Sequence, residues 1–220
     1  MLKKITALFL MTTLLFLGYN DHSAQAEYDY PVQAVGDYPV QAVGDNSVQA
    51  VGDNSVLAAS SCYKKVILYG GWKRIDVAPY NVNIKYIYSQ RGAYNYSTRI
   101  SNAARTWQNA FPNIFKFSQV SSGNNLLISS DDYGNVPWVG LTDKNSNPKK
   151  IQLNDWHYDN TVWFDHTVYE NVALHELGHT HGLDHPSASC VNEVMSDSSQ
   201  RDWYQVHLGE GDKAGIKDIY

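Results

Sequence analysis

From residue 82 to residue 154 the chain alternates apolar and polar positions in short runs broken by polar turns. VNIKYIYS (82–89), FKFSQV (115–120), LLISS (126–130), PWVGLT (137–142) and IQLN (151–154) each read as a β-strand. Between the first two the period changes. In STRISNAARTWQNAF, Ile100, Ala103, Ala104, Trp107 and Phe111 recur at helical spacing, with Ser97 as the expected N-cap. A second helical pattern starts at Thr167, where Thr167 and Glu170 match a capping box and Val168, Tyr169, Val172 and Ala173 form an apolar face. Strand, helix, strand order predicts a mixed sheet with a crossover helix, so the fold class is α+β with α/β-like features.

The first 61 residues follow other rules. Lys3 and Lys4 precede an apolar run from Ile5 to Leu17, and a polar stretch ends in Ala24-Gln25-Ala26. That is the layout of a secretory signal peptide over residues 1–26, and the run is shorter than the roughly 20 apolar residues of a spanning helix. The expectation is a secreted, extracellular protein with no membrane attachment after signal cleavage. From Tyr30 an eight-residue unit repeats as YPVQAVGD, YPVQAVGD, NSVQAVGD and NSVLAASS. Its turn residues and lack of large apolar side chains predict that residues 27–61 form a propeptide or flexible spacer. Residues 62–220 are left as one domain, long enough to bury a sizeable core.

Composition narrows the function. The net charge is −5, and losing Lys3, Lys4 and Asp21 with the signal peptide takes it to −6. An acidic surface argues against nucleic acid as a partner, since phosphate binding needs a basic footprint. Cys62 and Cys190 both lie in the exported part. An oxidising compartment favours a disulfide between them over two free thiols, and over Cys62 acting as a thiolate metal ligand in a latent precursor.

The chemistry is concentrated in His175-Glu176-Leu-Gly-His179-Thr-His-Gly182-Leu-Asp-His185. An H-E-x-x-H on a helix puts His175 and His179 one turn apart on one face, where both imidazoles reach one Zn²⁺. Gly182 lets the chain leave the helix, and His185 returns as a third nitrogen ligand. Three protein ligands leave a position open for water, the pattern of a catalytic site. Glu176, beside the first ligand, is the expected general base for a zinc-bound water.

H-E-x-x-H-x-x-G-x-x-H resembles the zinc signature of the metzincin metallopeptidases, and HELGHTHGLDH looks most like their matrixin branch, including its secreted bacterial members. Met195, ten residues after His185, stands where that family has its Met-turn beneath the metal, and LGEGDKAGIKDIY resembles the family's last helix. The resemblance implies a twisted mixed five-stranded sheet with two long helices and a C-terminal helix, with zinc in the cleft. It also implies an endopeptidase acting on protein or peptide substrates held along an edge strand, here around Trp138–Leu141, and a monomer is the default expectation for a small secreted peptidase. Some family features are missing. No P-R-C-G-x-P-D segment precedes the domain, residue 197 is Asp where related families carry Tyr, and His157 and His166 lack the spacing of a second zinc site and are expected at the surface. Asp184 is a candidate to orient a ligand.

Asp143-Lys-Asn145-Ser-Asn147 offers oxygens at alternate positions, as a Ca²⁺ site does. Pro148 and Asn154 stand where a calcium loop has Gly and Glu, so a polar turn is the favoured reading. Two rival functions share the zinc motif: a secreted binding protein that zinc only stabilises, and a hydrolase of cell-wall or small-molecule amides. Glu176 speaks against the first, because a structural site has no use for it.

Overall fold

The computed structural model describes residues 62–65 and 82–220. The signal-peptide and repeat readings fall on residues 1–61, outside the described residues. The elements in chain order are β1 (Lys64–Lys65), β2 (Val82–Gln90), α1 (Ser97–Ala110), β3 (Phe115–Gln119), β4 (Leu126–Asp131), β5 (Gly140–Asp143), β6 (Lys149–Asn154), α2 (Trp156–Asn160), α3 (His166–His181), β7 (Leu183–Asp184) and α4 (Glu210–Ile219). The class is the mixed α+β one expected, with a C-terminal helix.

Five strands form one sheet in the order β3-β2-β4-β6-β5. β2 pairs in parallel with β3 and β4, and β4 in parallel with β6, while β5 runs antiparallel to β6 at the edge. Parallel neighbours need long crossovers, and α1 supplies the one between β2 and β3. Strand burial explains the sequence patterns. β2 buries Ile84 and Tyr86 in alternation, and β4 buries Leu126, Ile128, Ser129 and Ser130. β5 begins at Gly140, three residues later than the apolar pattern suggested. Trp138 and Val139 are buried ahead of it in the approach loop rather than in the ladder.

α1 presents Ile100, Ala103, Ala104 and Trp107 to the core, and the Trp107 indole N–H donates to the carbonyl of Leu174 in α3 at 2.9 Å. Two caps differ from expectation. Ser97 is the first helical residue of α1, and the Asn95 side chain accepts its N–H at 2.9 Å. On α3 the N-cap is Asp165, whose carboxylate accepts from the N–H groups of Thr167 and Val168. A carboxylate one residue outside the helix reaches those amides and suits the positive end of the helix dipole. Glu170 is thereby released to accept from Arg99 and Asn102 of α1, tying the two long helices together.

α3 is buried along nearly its whole length, from Val168 to His181. At its end Tyr220 donates to the carbonyl of His181 at 3.1 Å and packs edge-on against Phe115. Cys62 is bonded to Cys190, with Cα atoms 5.4 Å apart. Next to that bond β1 pairs antiparallel with β7, Lys64 pairs with Asp184, and Lys65 with Asp218 of α4. The bridge closes a separation of 128 residues, so replacing both cysteines by serine is expected to cost about 2–4 kcal/mol of stability. Urea denaturation of the wild type and the double variant measures it.

Candidate active site

The site is built on the last two turns of α3 and the chain that leaves it. His175 and His179 lie one turn apart on α3. The helix then stops at Gly182, which adopts φ 102°, a left-handed conformation that closes helices and strains any residue with a Cβ. The chain reverses through β7 and brings His185 back over the helix. The three Nε2 atoms converge, with His175 2.9 Å from His185 and 3.1 Å from His179.

Tautomers follow from the other ring nitrogens. Nδ1 of His175 lies 2.7 Å from the carbonyl oxygen of Val194, and Nδ1 of His179 lies 3.0 Å from that of Leu183. A carbonyl can only accept, so both Nδ1 atoms carry the proton and both Nε2 atoms present a lone pair. Burial holds both imidazoles well below their usual pKa, with Arg201 adding to it for His175 and His185 for His179, so neither charges at neutral pH. Converging lone pairs in a buried setting repel unless a cation sits among them. Tetrahedral ligation at about 2.0–2.1 Å spaces ligand nitrogens about 3.4 Å apart, close to the separations seen here. The donor set therefore fits Zn²⁺, and His175, His179 and His185 are a group that could hold a metal ion.

Two acidic residues serve His185. Asp184 accepts the backbone N–H of His185 at 3.0 Å. Asp197 places a carboxylate oxygen 3.7 Å from His185 Nδ1. Burial pushes Asp197 upward, but hydrogen bonds from the Ser199 N–H and O–H, with His185 and Arg201 nearby, hold it below the usual carboxylate range. Asp197 therefore stays ionised beside the imidazole.

Beneath the histidines, Met195 packs on α3 where a Cβ at Gly178 would lie 2.2 Å from the methionine sulfur. The turn that carries it is anchored by Asp212 of α4. Asp212 accepts from the N–H of Val194 at 2.8 Å, of Met195 at 3.1 Å and of Gly209 at 2.9 Å, while its own N–H donates to Glu193. Since Val194 also receives the His175 proton, α4 supports a metal-facing imidazole through one peptide unit. The following loop lies along α3, with Asn171 donating to the carbonyls of Asp202 and Gln205 and Arg201 stacked 4.2 Å over the Trp203 ring.

Glu176 is buried, and its carboxylate accepts from the hydroxyl of Thr142 on edge strand β5. His157 corrects the expectation of a surface position: it is 1% exposed, with Nε2 3.1 Å from the Trp138 carbonyl and 3.2 Å from that of Val136, so it secures the loop leading to β5. At the candidate calcium segment, Asp143 accepts from the N–H groups of Asn145 and Ser146. Its oxygen closes a polar turn, and calcium is not supported. Thr142, Asp197 and the anchoring role of Asp212 were not read from the sequence. An acidic residue three positions into a helix was the available signal for Asp212; no local pattern marks the other two.

Residues 141–220 match the family model of the matrixins, a stretch that carries α3, all three histidines and Met195. The resemblance read in the motif is borne out, and the chain is similar to the matrixin branch of the metzincins, which are zinc metalloproteases. No curated protein matches the chain. Among solved structures, one of myroilysin covers 71% of this chain and 98% of its own at 14% identity and a TM-score of 0.44. A second myroilysin structure covers 64% of this chain and 60% of its own at 14% identity and a TM-score of 0.33.

Asp212→Ala would leave two buried N–H groups, of Val194 and Met195, and the partly buried one of Gly209 without their acceptor, and a loss of about 2–4 kcal/mol is expected, since each buried group costs roughly 1–3 kcal/mol and removing a buried carboxyl offsets part. Burial, reinforced by Glu193, raises the Asp212 carboxyl to about 7. A folded-state pKa above the unfolded one gives stability that is full in acid and declines as pH rises through the folded value. The deficit of the variant should therefore shrink between about pH 5 and about pH 8. Urea denaturation of both proteins at each pH tests size and sign.

Proposed function

We propose that this protein is a secreted, monomeric zinc endopeptidase that hydrolyses peptide bonds of extended protein substrates. His175, His179 and His185 hold the metal, Glu176 is the general base and Met195 forms the floor of the site. Residues 1–26 are its signal peptide, 27–61 a propeptide or spacer and 62–220 its catalytic domain. The observation that carries this reading is the convergence of three Nε2 atoms, two with their tautomer set by main-chain carbonyls, one residue away from a buried carboxylate. A structural zinc site would want a fourth protein ligand and no such carboxylate.

Bound zinc would supply Lewis-acid polarisation of the scissile carbonyl and a lowered pKa for the attacking water. The chain's own residues do the rest. Glu176 takes the proton from the water and returns it to the leaving amine. Among the described residues β5 has one partner in the sheet, β6, and its other edge would pair with an extended substrate by main-chain hydrogen bonds. His157 and the buried Trp138 hold the approach to that strand in place.

The test uses the full chain loaded with zinc and casein as substrate, beside Glu176→Ala and a metal count on both. Hydrolysis that a zinc chelator abolishes, and that falls about 10²–10⁴-fold in a variant still holding zinc, is the expected result. Full activity in the variant would overturn the mechanism. A zinc-loaded wild type that cuts no protein would overturn the peptidase reading.

A further inference from the structure

We propose that Thr142 is a positioning residue for the general base. The edge strand offered to the substrate is also the element that sets where the Glu176 carboxylate sits. This rests on the peptidase reading above and adds a residue that neither the zinc motif nor the Met-turn contains.

Residues 140 and 142 lie two apart on β5, so their side-chain directions share one face of the strand, and that face meets α3 at Glu176. At Gly140 the approach is so close that a Cβ would fall 2.5 Å from Glu176 Oε1 and 2.6 Å from Val172 Cγ1. At Thr142, 6% exposed, the hydroxyl donates to Glu176 Oε2 and also lies 3.1 Å from the Glu176 carbonyl oxygen. One position supplies the room for the carboxylate and the other the donor that orients it.

The physical consequence concerns alignment. A glutamate has three side-chain torsions, and a carboxylate that wanders among them spends little time where it can take a proton from a water beside the scissile bond. Hydrogen bonding to a buried charged group is among the stronger kinds, since the acceptor has given up its water. β5 is itself held in the ladder, by Thr142 opposite Ile151 and Gly140 opposite Leu153. The hydroxyl is therefore presented from a fixed backbone, and base and substrate are referred to the same strand. Burial of Glu176 alone does not achieve this, because exclusion of water does not specify the rotation of the carboxylate group.

The test is a set of variants of the full chain loaded with zinc: Thr142→Val, which keeps the shape and removes the donor, Thr142→Ala, and Thr142→Ser, which restores the hydroxyl. Thr142→Val is expected to lower kcat about 10- to 100-fold with KM within about twofold, and Thr142→Ser to recover most of that loss. Zinc content should be equal in all of them. A readout independent of activity is a double-mutant cycle in urea denaturation, in which Thr142→Val shifts the midpoint less in a Glu176→Gln background than in the wild type. Wild-type kcat in Thr142→Val, or a loss confined to KM and shared by Thr142→Ser, would overturn the positioning role while leaving the peptidase reading intact. If Thr142→Val does not fold, the contrast between Thr142→Ala and Thr142→Ser decides the matter in the same way. A zinc-loaded wild type without proteolysis would remove both proposals together.

Discussion

The direction of two protons governs the candidate site. Because Val194 and Leu183 turn main-chain carbonyls toward Nδ1 of His175 and His179, each ring must carry its hydrogen there and direct a lone pair inward. An imidazole left to choose its tautomer would spend part of its time with Nε2 protonated and unable to bind a cation. The carbonyls are reliable because each belongs to backbone held by other means. Leu183 belongs to β7, paired with β1 beside the Cys62–Cys190 bond, and Val194 belongs to the turn whose amides are fixed by Asp212. β1 and the disulfide, acting through Leu183, and α4, acting through Val194, are remote in sequence from the histidine motif and reach it by two hydrogen bonds.

β5 makes a parallel case on the other side of α3. Among the described residues its antiparallel place at the edge leaves it one partner in the sheet, and its inner face meets the helix at Val172 and at the Glu176 carboxylate. Under the proposed function, such a strand would relate substrate to base without an intervening loop. His157 and Trp138 restrain the approach to that strand, so the relation does not depend on the mobility usual for surface segments.

What could be read in advance follows from the range of the interactions involved. The strands and the two long helices were legible because burial periodicity is local. The convergence of the three histidines was legible because i, i+4 spacing and a glycine exit encode their geometry in eleven consecutive residues. The misreadings have a common source. Ser97 and Thr167 were suitable N-caps by type, yet Asn95 and Asp165 reach the amides because of where the chain enters each helix. His157 looked like a surface residue because nothing nearby in sequence shows that the carbonyls of Val136 and Trp138 fold over it. Thr142 and Asp197 act across gaps of 34 and 12 residues, separations at which a single sequence carries no periodic signal.

α3 draws these strands of argument together. A helix buried on every side is ordinarily apolar all round, but this one carries Glu170, Asn171, His175, Glu176, His179 and Thr180 into the interior. Burying such groups is tolerable only when each finds a partner. Here the partners come from different directions: α1 for Glu170, the loop after Met195 for Asn171, the Val194 carbonyl for His175, β5 for Glu176 and the Leu183 carbonyl for His179. Rotating or sliding α3 by one residue would break all of them at once, which makes its placement specific in a way apolar packing alone would not. The Nε2 atoms of His175, His179 and His185 meet one another instead, in a group that could hold a metal ion. A cation bound there would add its binding free energy to that of folding, since the preformed site is absent from the unfolded chain.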